Sequence, residues 1–201
     1  MGSAGDDDGD GGELARERDA DAREHLRHLR NVLSVVRVLA ERTAEEVGTV
    51  EEFRAVFDGR LAALSRAQSA FGDPRAGREL GAIFGDELLG FGMGVGAEVE
   101  LAGPPVRLTP RAAGVVALAA HELACASAGV RRNGPVRVEW ALDDALSIEW
   151  VEPLRADEEA PTLPYWVEQV IAYELRGGLA EERAEALRRR IRLPMAAVLP
   201  D

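Results

Sequence analysis

A chain of 201 residues with 24 basic residues, all of them arginine, and 36 acidic ones carries a formal net charge of −12. Phosphate backbones and anionic membranes repel such a chain, so nucleic acid and membrane are excluded as expected partners. Its single cysteine, Cys125, allows no internal disulfide and suits a reducing cytoplasm. The acidic N-terminus is not a signal peptide, and the longest apolar run, Ala112 to Ala120, is far short of a membrane span. The expected location is therefore cytoplasmic.

Residues 1–12 are rich in Gly and Asp and read as a disordered acidic tail. A long amphipathic stretch follows. Ala22, Leu26, Leu29, Leu33, Val36, Ala40, Thr43 and Val47 are spaced alternately by four and three. That heptad seam predicts a helix from about Glu13 to Val47, packed as in a bundle or coiled coil and roughly 50 Å long. Val32, Val35 and Leu39 widen the apolar face, as in a helix with more than one neighbour. Gly48 is placed to end the helix in a left-handed conformation. Thr49 and Glu52 form a capping box that opens a second helix with Val50, Phe53, Phe57, Leu61, Leu64 and Phe71 at helical spacing. The short connection makes the two helices antiparallel. Their uncovered apolar surface predicts pairing with a second copy in a four-helix bundle, so residues 13–73 read as a homodimerisation hairpin.

Gly72-Asp73-Pro74 breaks the pattern, and residues 74–201 change character. Arg78–Leu89 reads as a short helix and Glu98–Ala102 as a strand, with Gly90–Gly96 as a connection between them. Thr109-Pro110 opens a buried, small-residue helix over Ala112–Ala128, in which Cys125 is an expected packing residue. Val136–Leu142 and Leu146–Val151 alternate as strands around Asp143-Asp144-Ala145, with Trp140 and Trp150 expected to pack on the sheet. Tyr165–Leu175 is a helix stopped by Gly177-Gly178, and Ala186–Pro194 is a last strand. The order implies an α+β chain whose second part is a mixed sheet covered by helices on one face. His25 and His28 lie one turn apart with Glu24 beside them, but no third strong ligand is near and no metal site is expected.

Several segments together resemble the HWE group of bacterial sensor histidine kinases. His121-Glu122-Leu123 in the buried helix and Trp150-Val151-Glu152 closing a strand are similar to the histidine and the Trp-x-Glu pair that name the group. Asn31-Val32-Leu33-Ser34 and the run from Val50 through Leu61 to Ala67 resemble its dimerisation hairpin, and Gly103 to Leu108 resembles the lead into its nucleotide-pocket helix. The resemblance spans about residues 24 to 195. It implies a dimeric hairpin bearing a phosphoacceptor histidine, followed by a histidine-kinase-like ATP-binding α/β sandwich over residues 74–201. The family reaction moves the γ-phosphoryl of Mg-ATP to that histidine and then to an aspartate of a response-regulator receiver domain, by positioning and metal neutralisation of charge.

The residues that this reaction needs are altered. Aligned on Asn31, the family's His-Arg-x-Lys-Asn pattern puts Arg27 in the acceptor position, His28 in the arginine position and Arg30 in the lysine position. The remaining candidate acceptors are His28 and His25. His28 is rotated about 100° around the helix from the acceptor position. In the nucleotide site Glu122 is retained, but Ala126 replaces the metal-binding asparagine and Gly129 the lysine. Pro164-Tyr165-Trp166 stands where the family has a Gly-Phe-Gly lid, and Pro153-Leu154-Arg155 where it has glycines. An alanine offers Mg²⁺ no oxygen, and a proline offers phosphate no N–H. The expectation is a pseudokinase that binds neither ATP nor Mg²⁺. His121, Glu122, Ala126, Trp150 and Glu152 are left as a degenerate nucleotide site, in which His121 is expected to be structural. Arg27, His28, Arg30 and Asn31 are expected to form a surface for a receiver domain or related signalling partner. The alternative is a histidine phosphotransferase working through His28 or His25; a working kinase is the third reading.

Overall fold

The computed structural model describes residues 8–69 and 78–200; within its helices, the side chains of residues 8–21, 24, 25, 28, 31, 68 and 69 lie outside the description. Phe71 and the Gly72–Pro74 break also lie outside it, as do residues 1–7 of the expected tail.

α1 (Asp8–Glu46) and α2 (Val50–Ser69) form the hairpin. α1 starts at Asp8, within the segment read as a tail. The turn between the helices is built as expected. The Thr49 Oγ1 accepts from the Glu52 N–H at 3.2 Å, and the Glu52 carboxylate accepts from the N–H groups of Gly48 and Thr49 at 3.2 and 3.1 Å. The Thr49 side chain most of all, then the N–H groups of Gly48 and Thr49, hold the Glu52 carboxyl below the usual range. Gly48 does not close α1 in the left-handed region, because α1 already ends at Glu46 and the capping box satisfies the turn.

The second part comprises β1 (Arg78–Glu79), α3 (Leu80–Gly90), β2 (Val99–Ala102), β3 (Arg107–Leu108), α4 (Pro110–Ser127), β4 (Val136–Leu142), β5 (Ala145–Glu152), α5 (Tyr165–Leu175), β6 (Gly178–Arg183), β7 (Leu187–Pro194) and α6 (Met195–Val198). β1 and β3 make a two-residue antiparallel ribbon. The main sheet has the order β2-β4-β5-β7-β6, with β2 parallel to β4 and every other pair antiparallel. Inward residues Leu146, Ile148 and Trp150 of β5 and Ile191 and Leu193 of β7 are buried under the helices, while Arg188, Arg190 and Arg192 of β7 are exposed. This is the mixed sheet covered by helices on one face that the sequence implies.

α4 lies at the centre of the core. Thr109 caps it, with Oγ1 accepting from the Ala112 N–H at 3.3 Å, and Pro110 takes the first position. Its small side chains let other helices come close. Ala112 through Ala124 are buried without a break. Gly59 on α2 is one of these approaches, since a Cβ there would come within 3.2 Å of the His121 ring. Trp140 is half-buried and its indole N–H donates to the Pro104 carbonyl at 2.7 Å; a Cβ on Gly103 would collide with its ring at 2.4 Å.

Two local expectations are corrected. Cys125 is exposed rather than packed, because it lies in the last turn of α4, where the unbroken buried run Ala112–Ala124 has ended. Helix α5 stops at Arg176, which takes the left-handed conformation at φ 53 itself, ahead of Gly177 and Gly178. Gly178 then opens β6, an edge strand.

Candidate functional site

The seam of α2 runs through Phe53, Phe57, Arg60, Leu64 and Ala67, at steps of four and three. Leu61, read as a seam residue, is 37 % exposed, and Val50 is exposed too. Arg60 takes the buried place, at 2 % exposure. An ion buried so deeply must have every donor matched. Arg60 Nε donates to Glu122 Oε1 at 2.7 Å, and Nη2 donates to Glu122 Oε2 at 3.3 Å and Glu46 Oε2 at 2.7 Å. Nη1 donates to Thr43 Oγ1 at 2.7 Å, and the Thr43 hydroxyl donates to the Leu39 carbonyl. The guanidinium carbon also lies 4.8 Å from the centre of the Trp166 ring, a cation–π distance. Burial pulls the Arg60 guanidinium down, but the bonds and charges of Glu122 and Glu46 outweigh it and raise it above its ordinary value. Thus one side chain joins α1, α2, α4 and α5.

A second cluster lies six residues further along α2, nearly two turns. Arg66 Nε and Nη2 donate to the two carboxylate oxygens of Glu87 on α3 at 2.9 and 2.5 Å. Glu87 is buried, and its Oε2 is 3.3 Å from His121 Nδ1. The His121 ring leans on Phe91 at 5.2 Å. His121 thus packs and hydrogen-bonds between α3 and α4. Burial pushes the Glu87 carboxyl up, but hydrogen bonds from His121 and Arg66, with the Arg66 charge, hold it below its ordinary 4.5. A carboxylate depressed on folding stabilises the fold above its unfolded value, and that stability is lost as pH falls through the folded value. Accordingly, urea midpoints from pH 7 downward should show wild type ahead of Glu87→Gln at neutral pH and converging on it below about pH 4.5. An unchanged gap across that window would contradict the assignment.

The Trp150–Glu152 pair forms a third cluster. Glu152 is fully buried at the end of β5. It accepts from Ser127 Oγ at 2.8 Å, Arg132 Nη1 at 3.0 Å and Trp150 Nε1 at 3.5 Å. Arg132 also donates to the Ser127 carbonyl, so the end of α4 is tied to the sheet. Ala126 is half-buried beside it, and Gly129 turns the chain at φ 79. At the Pro164-Tyr165-Trp166 segment, Pro164 is the N-cap of α5, Tyr165 is 72 % exposed, and Trp166 alone turns inward, under Arg60.

The resemblance implies a magnesium nucleotide beside these residues. Mg²⁺ takes oxygen ligands in near-octahedral geometry. Glu122 is the only carboxylate retained from the expected ligand set, and both its oxygens face the Arg60 guanidinium.

The candidate acceptor segment lies elsewhere. His25, His28 and Asn31 are in α1 with side chains outside the description, and Arg27 and Arg30 are exposed. From Thr43, which touches Arg60, residue 28 is about 22 Å away along the helix. The acceptor segment and the nucleotide-site residues are therefore not brought together. Sequence reading missed Arg60, Arg66 and Glu87. The signal for Arg60 was present: an arginine occupying a seam position between Phe57 and Leu64.

The HWE histidine kinase family model matches residues 25–105. No match was found among curated proteins. Among solved structures, the Erythrobacter litoralis EL346 blue-light activated histidine kinase superposes with a TM-score of 0.59 at 16% identity, over 85% of this chain and 59% of that one. The histidine kinase domain of the same protein gives a TM-score of 0.51 at 17% identity, over 82% and 96%. At these identities the likeness is one of fold. The chain spans 59% of the longer relative. Among the described residues no helix is long and apolar enough to cross a membrane.

Proposed function

We propose that this HWE histidine kinase-like chain is a pseudokinase, a homodimeric adaptor in two-component signalling that binds a receiver domain or related partner through α1 and does not use Mg-ATP. The observation that carries this reading is the Arg60–Glu122 pair. A guanidinium seated on the remaining carboxylate supplies the positive charge that a metal would bring, and it repels a second cation. Trp166 closes the same place from α5. Phosphoryl transfer needs reacting atoms within about 3–3.5 Å. Within one chain, roughly 22 Å of α1 lies between residue 28 and the Arg60 junction. The exposed Arg27 and Arg30 suit the acidic surroundings of a receiver's phosphorylation site, since arginine forks match carboxylate and phosphate bidentately.

One experiment decides between this reading and a phosphotransferase. The protein is incubated with Mg-ATP and, separately, with a phosphorylated receiver domain, and acid-labile phosphate on the chain is measured. The adaptor should acquire none in either arm. Its calorimetric titration with Mg-ATP should show no saturation with a dissociation constant below about 100 μM. Phosphate that appears from the receiver and vanishes when His25 and His28 are both replaced by Gln would establish the phosphotransferase instead. Phosphate from ATP would establish a kinase.

A further inference from the structure

A groove of about 670 Å³ runs between α1 of the hairpin and α5 of the α/β part. Small-molecule sites have volumes of this order, and they are mostly apolar with a few converging polar groups. The lining has the same make-up. Leu33 and Val38 of α1 and Val170 and Trp166 of α5 supply apolar walls, while Ser34, Arg37, Arg42, Gln169 and Glu174 add polar groups. The charges are not equivalent. Glu174 is committed to Arg111, which reaches it with Nε at 3.0 Å and Nη2 at 2.8 Å. Arg37 and Arg42 are held by Glu41 and Glu45, neighbours on the same helix, at 3.1 and 2.8 Å. Exposed pairs of this kind are weak, and each uses one nitrogen of the fork. Both arginines are therefore able to turn to an anion in the groove, and a planar carboxylate is what the fork matches. Trp166 carries an unmatched donor, since its indole N–H is buried and has no acceptor among the described residues. Such a donor is where an oxygen of a ligand or a water is expected.

We propose that this groove binds a small amphipathic carboxylate, with its flat apolar body between Val38, Val170 and Trp166 and its carboxylate on Arg37 or Arg42. A ligand seated there bridges the hairpin and the α/β part. It also touches Trp166, whose ring centre lies 4.8 Å from the Arg60 guanidinium carbon, so it adds to the junction of α1, α2, α4 and α5. The site needs neither a receiver domain nor a second copy, and it stands apart from the adaptor reading.

The probe is 2-naphthoate, with the neutral 2-naphthamide beside it, titrated into the full chain by calorimetry. Naphthoate should saturate with a dissociation constant below about 1 mM, and the amide should bind about fivefold more weakly or worse. Replacing Arg37 and Arg42 together by Gln should weaken naphthoate about tenfold and leave the amide within about twofold. Arg188→Gln, at an exposed arginine of the sheet, should change neither. Ser34→Trp places a large ring in the groove from an exposed position. It should abolish saturation while keeping the ligand-free Tm within about 2 °C of wild type. Hydrogen exchange on the unmodified protein provides an independent reading: naphthoate should slow the amides of residues 166–174. No saturation up to about 5 mM, or saturation that survives Ser34→Trp and leaves α5 unprotected, would overturn the site. Equal affinities for naphthoate and the amide would overturn its assignment to carboxylates.

Discussion

Replacing Arg60 by Met should destabilise the protein by about 3–5 kcal/mol, the cost of breaking a buried ion pair from one side. At this chain length that is a fall of roughly 6–20 °C in Tm. The cost arises on the partners that remain. Glu122 is 6 % exposed and would lose its counter-charge, and Thr43 would lose its donor. Glu46 is more accessible and can turn to water, so it contributes little. Arg60→Lys should recover part of the loss, since it restores the charge but not the fork that reaches Glu122, Glu46 and Thr43 together. The double replacement Arg60→Met with Glu122→Met should recover most of it, because two apolar side chains leave no buried ion behind. Differential scanning calorimetry of the four proteins checks this. A drop under about 3 °C for Arg60→Met would mean that the pair is not the junction described. Because α1 and α2 are joined to α4 and α5 here, hydrogen exchange in α2 should rise in the same variant.

Glu152→Ala should cost about 2–4 kcal/mol, read as a shift in the urea midpoint at unchanged slope. Glu152 gathers Ser127, Arg132 and Trp150 on a carboxylate with no solvent contact. Arg132 is partly exposed and can be rehydrated, which places this cost below that of Arg60. Ser127 and Trp150 are buried and would keep unpaired donors. The loss should appear in stability and in the order of the end of α4, with no nucleotide present. A variant as stable as wild type would return the Trp-x-Glu pair to the role of a ligand-facing feature.

Most element boundaries could be read from local chemistry. The Thr49–Glu52 box, the Thr109-Pro110 start, the alternation of Val136–Leu142 and the apolar spacing of Tyr165–Leu175 each act within a few residues, so the sequence alone located those elements. The resemblance of Asn31–Ser34 and of Val50 through Ala67 to the family hairpin was legible in the same way, and the family match over residues 25–105 covers it; His121, Trp150 and Glu152 lie beyond that match. Where local signals were weak, tertiary contacts decided. β6 reads Gly-Leu-Ala-Glu-Glu-Arg, with almost no apolar alternation, and is a strand only because β7 supplies its hydrogen bonds. Arg60 holds a seam position between Phe57 and Leu64, but beside the apolar Leu61 its charge reads locally as solvated; its partners lie 14, 17 and 62 residues away in sequence, and their convergence buries it. Cys125 sits in an apolar helix, yet which face of α4 is covered was settled by where α2, α3 and α5 pack. Sequence therefore determined the elements and the family likeness, since those depend on near neighbours and residue identity. The three-dimensional packing determined that the retained carboxylate Glu122 faces an arginine from the hairpin, since that depends on two helices meeting across 62 positions of chain.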